Sequence, residues 1–117
     1  MQHLTHVIHV GSPWFDFLKS GEKVWEGRCN WKAALAYRVG DSWEVHHVDG
    51  TREPFRLKIE EIVHFPTFEQ ALNRMNLSEV LPGVKTVEEG VQVYFQFVSL
   101  KTQEANGVLM LRVSRIQ

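Results

Sequence analysis

The segment from Val108 to Ile116 is apolar on both of its alternating faces. A strand of that kind belongs in the centre of a sheet, so this 117-residue chain must supply neighbours for it from short pieces elsewhere. Leu4 to Val10 reads as one such strand, ending at Gly11. Ser12 then stands as an N-cap before Pro13 at the first helical position, and Gly21 stands where a helix would stop. This predicts a helix over 13–20 that buries Trp14, Phe15, Phe17 and Leu18. Lys23 to Cys29 is extended, and Trp31 to Tyr37 is expected to form a turn or short helix. Trp43, Val45 and His47 alternate along a strand that ends at the hairpin signal Asp49-Gly50. Its partner runs from about Pro54 to Phe65. There the apolar phase changes at Glu61-Ile62, which predicts a bulge.

Helical grammar follows. Thr67-x-x-Gln70 matches a capping box ahead of Phe68, Leu72 and Met75. Thr86-x-x-Glu89 matches a second, ahead of the stripe Val87, Val91, Tyr94, Phe95 and Val98. Asn106-Gly107 marks a turn into the final strand. The sum is an α+β chain built on a small, partly closed β-barrel of about five or six strands, with three to four short helices. It forms a single domain over 1–117, since 44% hydrophobic against 23% charged residues suit a sizeable core.

Composition narrows the function. The apolar stretches are too short to span a bilayer and the N-terminus lacks a signal-peptide layout, so a soluble, cytoplasmic protein with no membrane partner is expected. A net charge of -1 argues against long duplex DNA, whose binding rests on many phosphate contacts, and leaves room for a local anion site. The single Cys29 has no thiol to pair with and reads as a small buried side chain. His3, His6 and His9 recur every third residue. In a strand, however, His3 and His9 would share one face and His6 the other, so no metal site is expected, and nothing implies a cofactor. His46 and His47 likewise point to opposite sides. Nucleophile elbow, phosphate loop and Walker motif are all absent.

The informative segment is Gly21-Glu22-Lys23-Val24-Trp25-Glu26-Gly27-Arg28. Two apart on a strand, Glu26 and Arg28 project on one face and can exchange a charge-assisted hydrogen bond, and Lys23 joins them if the chain bends at its start. The bland alternative is a solvated ion pair worth about 0–1 kcal/mol. Positions 14–39 hold five cations against three acids, a net of +2 that leaves -3 elsewhere. Trp14, Trp25, Trp31 and Trp43 crowd into the same half, and two of these four are expected in the core. Aromatic faces beside cations are what a site needs to stack a base and hold its oxygens.

Four motifs in order give the chain a family resemblance over nearly its whole length. These are Gly21-x-Lys23-x-x-Glu26-x-Arg28, Val39-Gly40-Asp41, Phe65-x-Thr67-Phe68, and Val80-Leu81-Pro82-Gly83-Val84-x-Thr86-x-Glu88-Glu89-Gly90-Val91-x-x-Tyr94. The sequence resembles an ASCH domain, of the PUA-like superfamily. The resemblance implies a PUA-like barrel with a cleft beside it, lined by the lysine segment, that recognises RNA or a nucleoside-like ligand. Some small members are amidohydrolases that deacetylate N4-acetylcytidine with a lysine, a threonine three residues later and a late glutamate. Those positions match Lys23, Glu26 in place of the threonine, and Glu88 or its neighbour Glu89, with Glu88 the nearer match.

The expected function is RNA or nucleotide binding. Arg28 would meet phosphate or orient Glu26, Lys23 would meet an anionic oxygen and Glu26 a base amino group, while Trp14 or Trp25 would stack. Lys85 and Tyr94 would add donors at the cleft. The alternative is a small hydrolase, acting on an acylated cytidine or on RNA, with Glu26 as general base and Lys23 stabilising the oxyanion.

Overall fold

The computed structural model describes residues 2–29 and 34–117; the expectations for Trp31 and Lys32 fall outside them. The described strands are β1 (Thr5–Val10), β2 (Trp25–Cys29), β3 (Ser42–His47), β4 (Phe55–Phe65) and β5 (Val108–Arg115). They form one sheet in the order β1-β3-β4-β5-β2. β1 runs parallel to β3, and the remaining pairs are antiparallel. His9 and Val10 of edge strand β1 line the same cavity as Arg28 and Cys29 of the opposite edge strand β2. The sheet is thus curled until its two edges face one another, a half-barrel.

β5 justifies its two apolar faces. Leu109, Leu111 and Val113 point into the curl with Ile8, Val10, Trp43, Val45, Leu57 and Ile59. Val108 and Met110 point out to a second core with Phe68, Leu72, Val80, Leu81 and Tyr94. The expected bulge is present in β4, where the register on β5 shifts between Ile59 and Glu61. β3 and β4 pair as a hairpin, but pairing stops at Val45 opposite Phe55, so Asp49-Gly50 turns within a longer connection.

The helices are α1 (Trp14–Ser20), α2 (Phe68–Arg74), α3 (Leu77–Val80), α4 (Val87–Phe95) and α5 (Leu100–Asn106), with a 3-10 turn at Ala34–Ala36. α1 buries Phe15 and Leu18 and ends on Gly21 at φ 89. Trp14 and Phe17 on the same helix are half-buried. Its expected cap is corrected: Ser12 does not close the helix. The Ser12 hydroxyl instead pairs with Nε2 of the buried His47 at 2.8 Å, and the helix starts after Pro13. The Thr67 and Thr86 caps form as expected, each accepting from the backbone N–H three residues on at 3.1 Å. α3 and α5 are additions to the expectation. Asn76 caps the first and Ser99 the second, and each interrupts what a hydrophobic stripe alone would join into one helix.

The histidine expectation also changes. β1 begins only at Thr5, so strand alternation does not govern His3. His3 Nδ1 lies 3.8 Å and His6 Nε2 2.8 Å from the Asp41 carboxylate. His9 instead lies against His46, with ring centroids 5.6 Å apart. Among the described residues no group of three histidine, cysteine or carboxylate side chains is arranged to hold a metal ion, and no helix is long and apolar enough to cross a membrane.

Candidate functional site

The chain bends just before β2. Lys23 N–H donates to Phe17 O at 3.0 Å and Val24 N–H to Glu79 O at 2.7 Å, which holds this segment between α1 and α3. The bend turns Lys23 inward, where it is 2% exposed. Its Nζ donates to Trp25 O at 2.7 Å and to Val80 O, and lies 3.4 Å from Glu26 Oε1. Burial lowers the Lys23 pKa, and the Glu26 carboxylate works against that shift.

Glu26 is the hub. Oε1 also accepts from Gly27 N–H at 3.2 Å, while Oε2 meets the Arg28 guanidinium at 3.2 Å. Arg28 in turn rests its guanidinium 5.8 Å from the Trp43 ring centroid. Its Nε is buried without a hydrogen-bond partner, and so is the Tyr94 hydroxyl. Burial holds that hydroxyl protonated, with its pKa raised well above the usual phenol value. Unpartnered buried polar atoms are costly and uncommon, at about 1–3 kcal/mol each, so a pair of them beside one carboxylate is a feature to be explained.

Lys23, Glu26, Arg28 and Tyr94 line a cavity of about 290 Å³, at the small end of the range for small-molecule sites. β1 contributes His9 and Val10, and the residues after it Gly11. α1 contributes Trp14, β2 the run Glu26 to Cys29, and the turn after α3 contributes Leu81. Tyr94, Phe97, Val98, Ser99 and Thr102 close the other side. Trp14 lies 5.8 Å by its ring centroid from Lys23 Nζ.

Gly27 sets the depth of this cavity. A Cβ there would stand 2.8 Å from the Tyr94 oxygen and 2.9 Å from Cζ, closer than atoms can pack. Gly27→Ala is therefore expected to destabilise the fold by about 1–3 kcal/mol, measured by chemical denaturation, as Tyr94 is pushed from its place.

Of the sequence-predicted residues, Lys23, Glu26, Arg28, Trp14 and Tyr94 are brought together at the cavity. Trp25, Lys85 and Glu88 do not line it. Trp25 lies opposite Arg112 and packs on the outer core. Lys85 and Glu88 are exposed. Glu88 sits in the first turn of α4, whereas the cavity takes the other end of that helix. Six residues of helix separate Glu88 from Tyr94, about 9 Å along the axis. Lys23 Nζ already donates to Trp25 O and Val80 O and pairs with Glu26 Oε1. Sequence reasoning missed Phe97, Ser99 and Thr102, since no periodic signal distinguishes a cavity wall from a surface turn.

Residues 8–108 match the family model described as ASCH domain. The chain belongs to the ASCH domain family. This ASCH domain resembles, among solved structures, the hypothetical protein PH0355, at 26% identity and TM-score 0.83 over 97% of this chain and 99% of that one. The protein PF0455 from Pyrococcus furiosus is similar at 24% identity and TM-score 0.77, over 97% and 98% of the two chains. The ASCH domain from Lactobacillus crispatus shares 14% identity at TM-score 0.65, over 97% of this chain and 79% of that chain, a likeness of fold alone. No curated protein shows significant sequence similarity.

Proposed function

We propose that this ASCH domain is a binding module whose cleft receives a single base of RNA or of a free nucleotide. The observation that carries the reading is the meeting of Lys23, Glu26, Arg28, Tyr94 and Trp14 at one cavity of about 290 Å³. Glu26, Arg28 and Tyr94 around one small hollow suit a flat polar heterocycle read by its edge. Trp14 on the wall supplies a stacking face, and membership of a family generally regarded as RNA-binding agrees with this.

The hydrolytic alternative asks Lys23, Glu26 and Glu88 to act on one substrate. Lys23 has spent its donors on Trp25 O, Val80 O and Glu26, and Glu88 is exposed outside the cavity, so the binding reading is favoured. Titrating the protein with single-stranded RNA, with nucleoside monophosphates and with N4-acetylcytidine, followed by Trp fluorescence and chromatography, tests both. Saturable binding without product is expected, weakened at least tenfold in Arg28→Ala. Product formed by the protein would establish the hydrolase instead, and no binding even at low salt would end the nucleic-acid reading.

A further inference from the structure

We propose that Ser12 is an activated nucleophile, set in a Ser-His-Asp triad with His47 and Asp49, that takes acyl groups from thioesters and aryl esters. The site is separate from the Glu26 cluster and does not depend on the binding reading. Ser12 Oγ lies 2.8 Å from His47 Nε2, and His47 Nδ1 lies 2.9 Å from Asp49 Oδ1. The two ring nitrogens are thus engaged in the order that nucleophilic catalysis needs, hydroxyl to base and base to carboxylate. Asp49 N–H also approaches Nδ1, at 3.2 Å, but the closer, charged oxygen decides the tautomer. The proton sits on Nδ1, and the Nε2 lone pair accepts from the Ser12 hydroxyl. Thr51 fixes the carboxylate in turn, donating to the same oxygen from its N–H at 2.9 Å and from its hydroxyl at 2.8 Å. The imidazole is buried in a T-shaped contact with Phe15, centroids 5.1 Å apart, whereas Ser12 is exposed to an incoming substrate.

The backbone limits what that substrate can be. The residue after the nucleophile is Pro13, which has no N–H to donate to a developing oxyanion. Cleaving an amide leans on that stabilisation, so the acyl donors that fit are those whose leaving group departs easily. Ser12 Oγ bonds to the acyl carbon as its proton passes to Nε2. The carbon–sulfur or carbon–oxygen bond then breaks, and the departing thiolate or phenolate takes that proton. Water repeats both steps on the acyl-serine, releasing the carboxylic acid and restoring the hydroxyl. Ser12 and His47 are the catalytic residues, and Asp49 is a positioning residue that acts through His47.

The test uses the full chain with para-nitrophenyl acetate, the matching para-nitroanilide, and a fluorophosphonate probe, with peptide mass spectrometry to locate the modified residue. A burst of about one equivalent of nitrophenol, with acetyl or phosphonyl found on Ser12, is expected, and no cleavage of the anilide. Ser12→Ala alters only an exposed side chain, so it is expected to fold and to lose the burst. Asp49→Asn is expected to lower kcat for the ester at least tenfold with KM unchanged, a split that a purely structural role would not produce. Modification confined to lysines, a burst that survives in Ser12→Ala, or a Ser12 left unmodified by both reagents would overturn the proposal.

Discussion

Lys23→Ala is expected to cost about 3–5 kcal/mol of folding stability, the range for removing one partner of a buried ion pair. The side chain is 1% exposed, and its loss strands Trp25 O, Val80 O and one oxygen of Glu26. It also unties β2 from α3, since Val80 O belongs to the last residue of that helix. Lys23→Met restores volume without the donors and is expected to recover only the packing part of the loss. Chemical denaturation of the three proteins reads the difference. A loss below about 1 kcal/mol, the range of an exposed pair, would mean that Lys23 is not the pin described here. Titration adds an independent signature. Burial lowers the folded-state pKa of Lys23 from 10.5, so the unfolded chain holds the proton to higher pH than the folded one does. Stability therefore gains from this group as pH rises through the window below 10.5, and that gain is absent from Lys23→Met.

What the sequence discloses about this fold depends on how local the physics is. Thr67 and Thr86 announce their helices because a cap is a contact three residues long. The bulge in β4 is legible because a change of apolar phase within one strand has few other causes. Ser12 is misread because its partner, His47, lies 35 residues away and competes successfully with the helix N-terminus. The cluster at Glu26 is half legible. The alternation of Glu26 and Arg28 gives one face of it, but the fate of Lys23 is decided by the Val80 carbonyl, 57 residues distant. Glu88 shows the opposite case: it lies in the first turn of α4, and proximity to a helix that reaches the cavity says nothing about which end reaches it. The resemblance marks Gly40 and Asp41 without giving a reason; the structure supplies one.

Asp41→Ala is expected to lower stability by about 2–4 kcal/mol, because its buried carboxylate holds two backbone N–H donors and the His6 ring at once. One oxygen accepts from Leu4 N–H at 3.0 Å; the other accepts from Arg38 N–H at 3.1 Å and meets His6 Nε2 at 2.8 Å. The side chain thereby joins the residue before β1 to the turn before β3. Asp41→Asn keeps one acceptor but turns an N–H2 group toward donors, so an intermediate loss is expected. Acid titration separates charge from packing. Burial alone would raise the Asp41 pKa, but the hydrogen bonds from His6, Leu4 and Arg38 outweigh it and the net shift is downward from 3.8. The folded state thus holds the carboxylate charged where the unfolded state protonates it. Its contribution is complete above the unfolded value and is lost as pH falls through the window below 3.8. Asp41→Asn should unfold with a shallower dependence on pH in that window. Hydrogen exchange locates the damage: Ser42 N–H, which donates to Leu4 O at 2.9 Å, should lose protection first. Because β1 carries His9 and Val10 to the cavity wall, the same variant should weaken the proposed nucleotide binding without touching Glu26, Arg28 or Tyr94. Unchanged affinity alongside lost protection at Ser42 would show that the edge strand can loosen without opening the cleft.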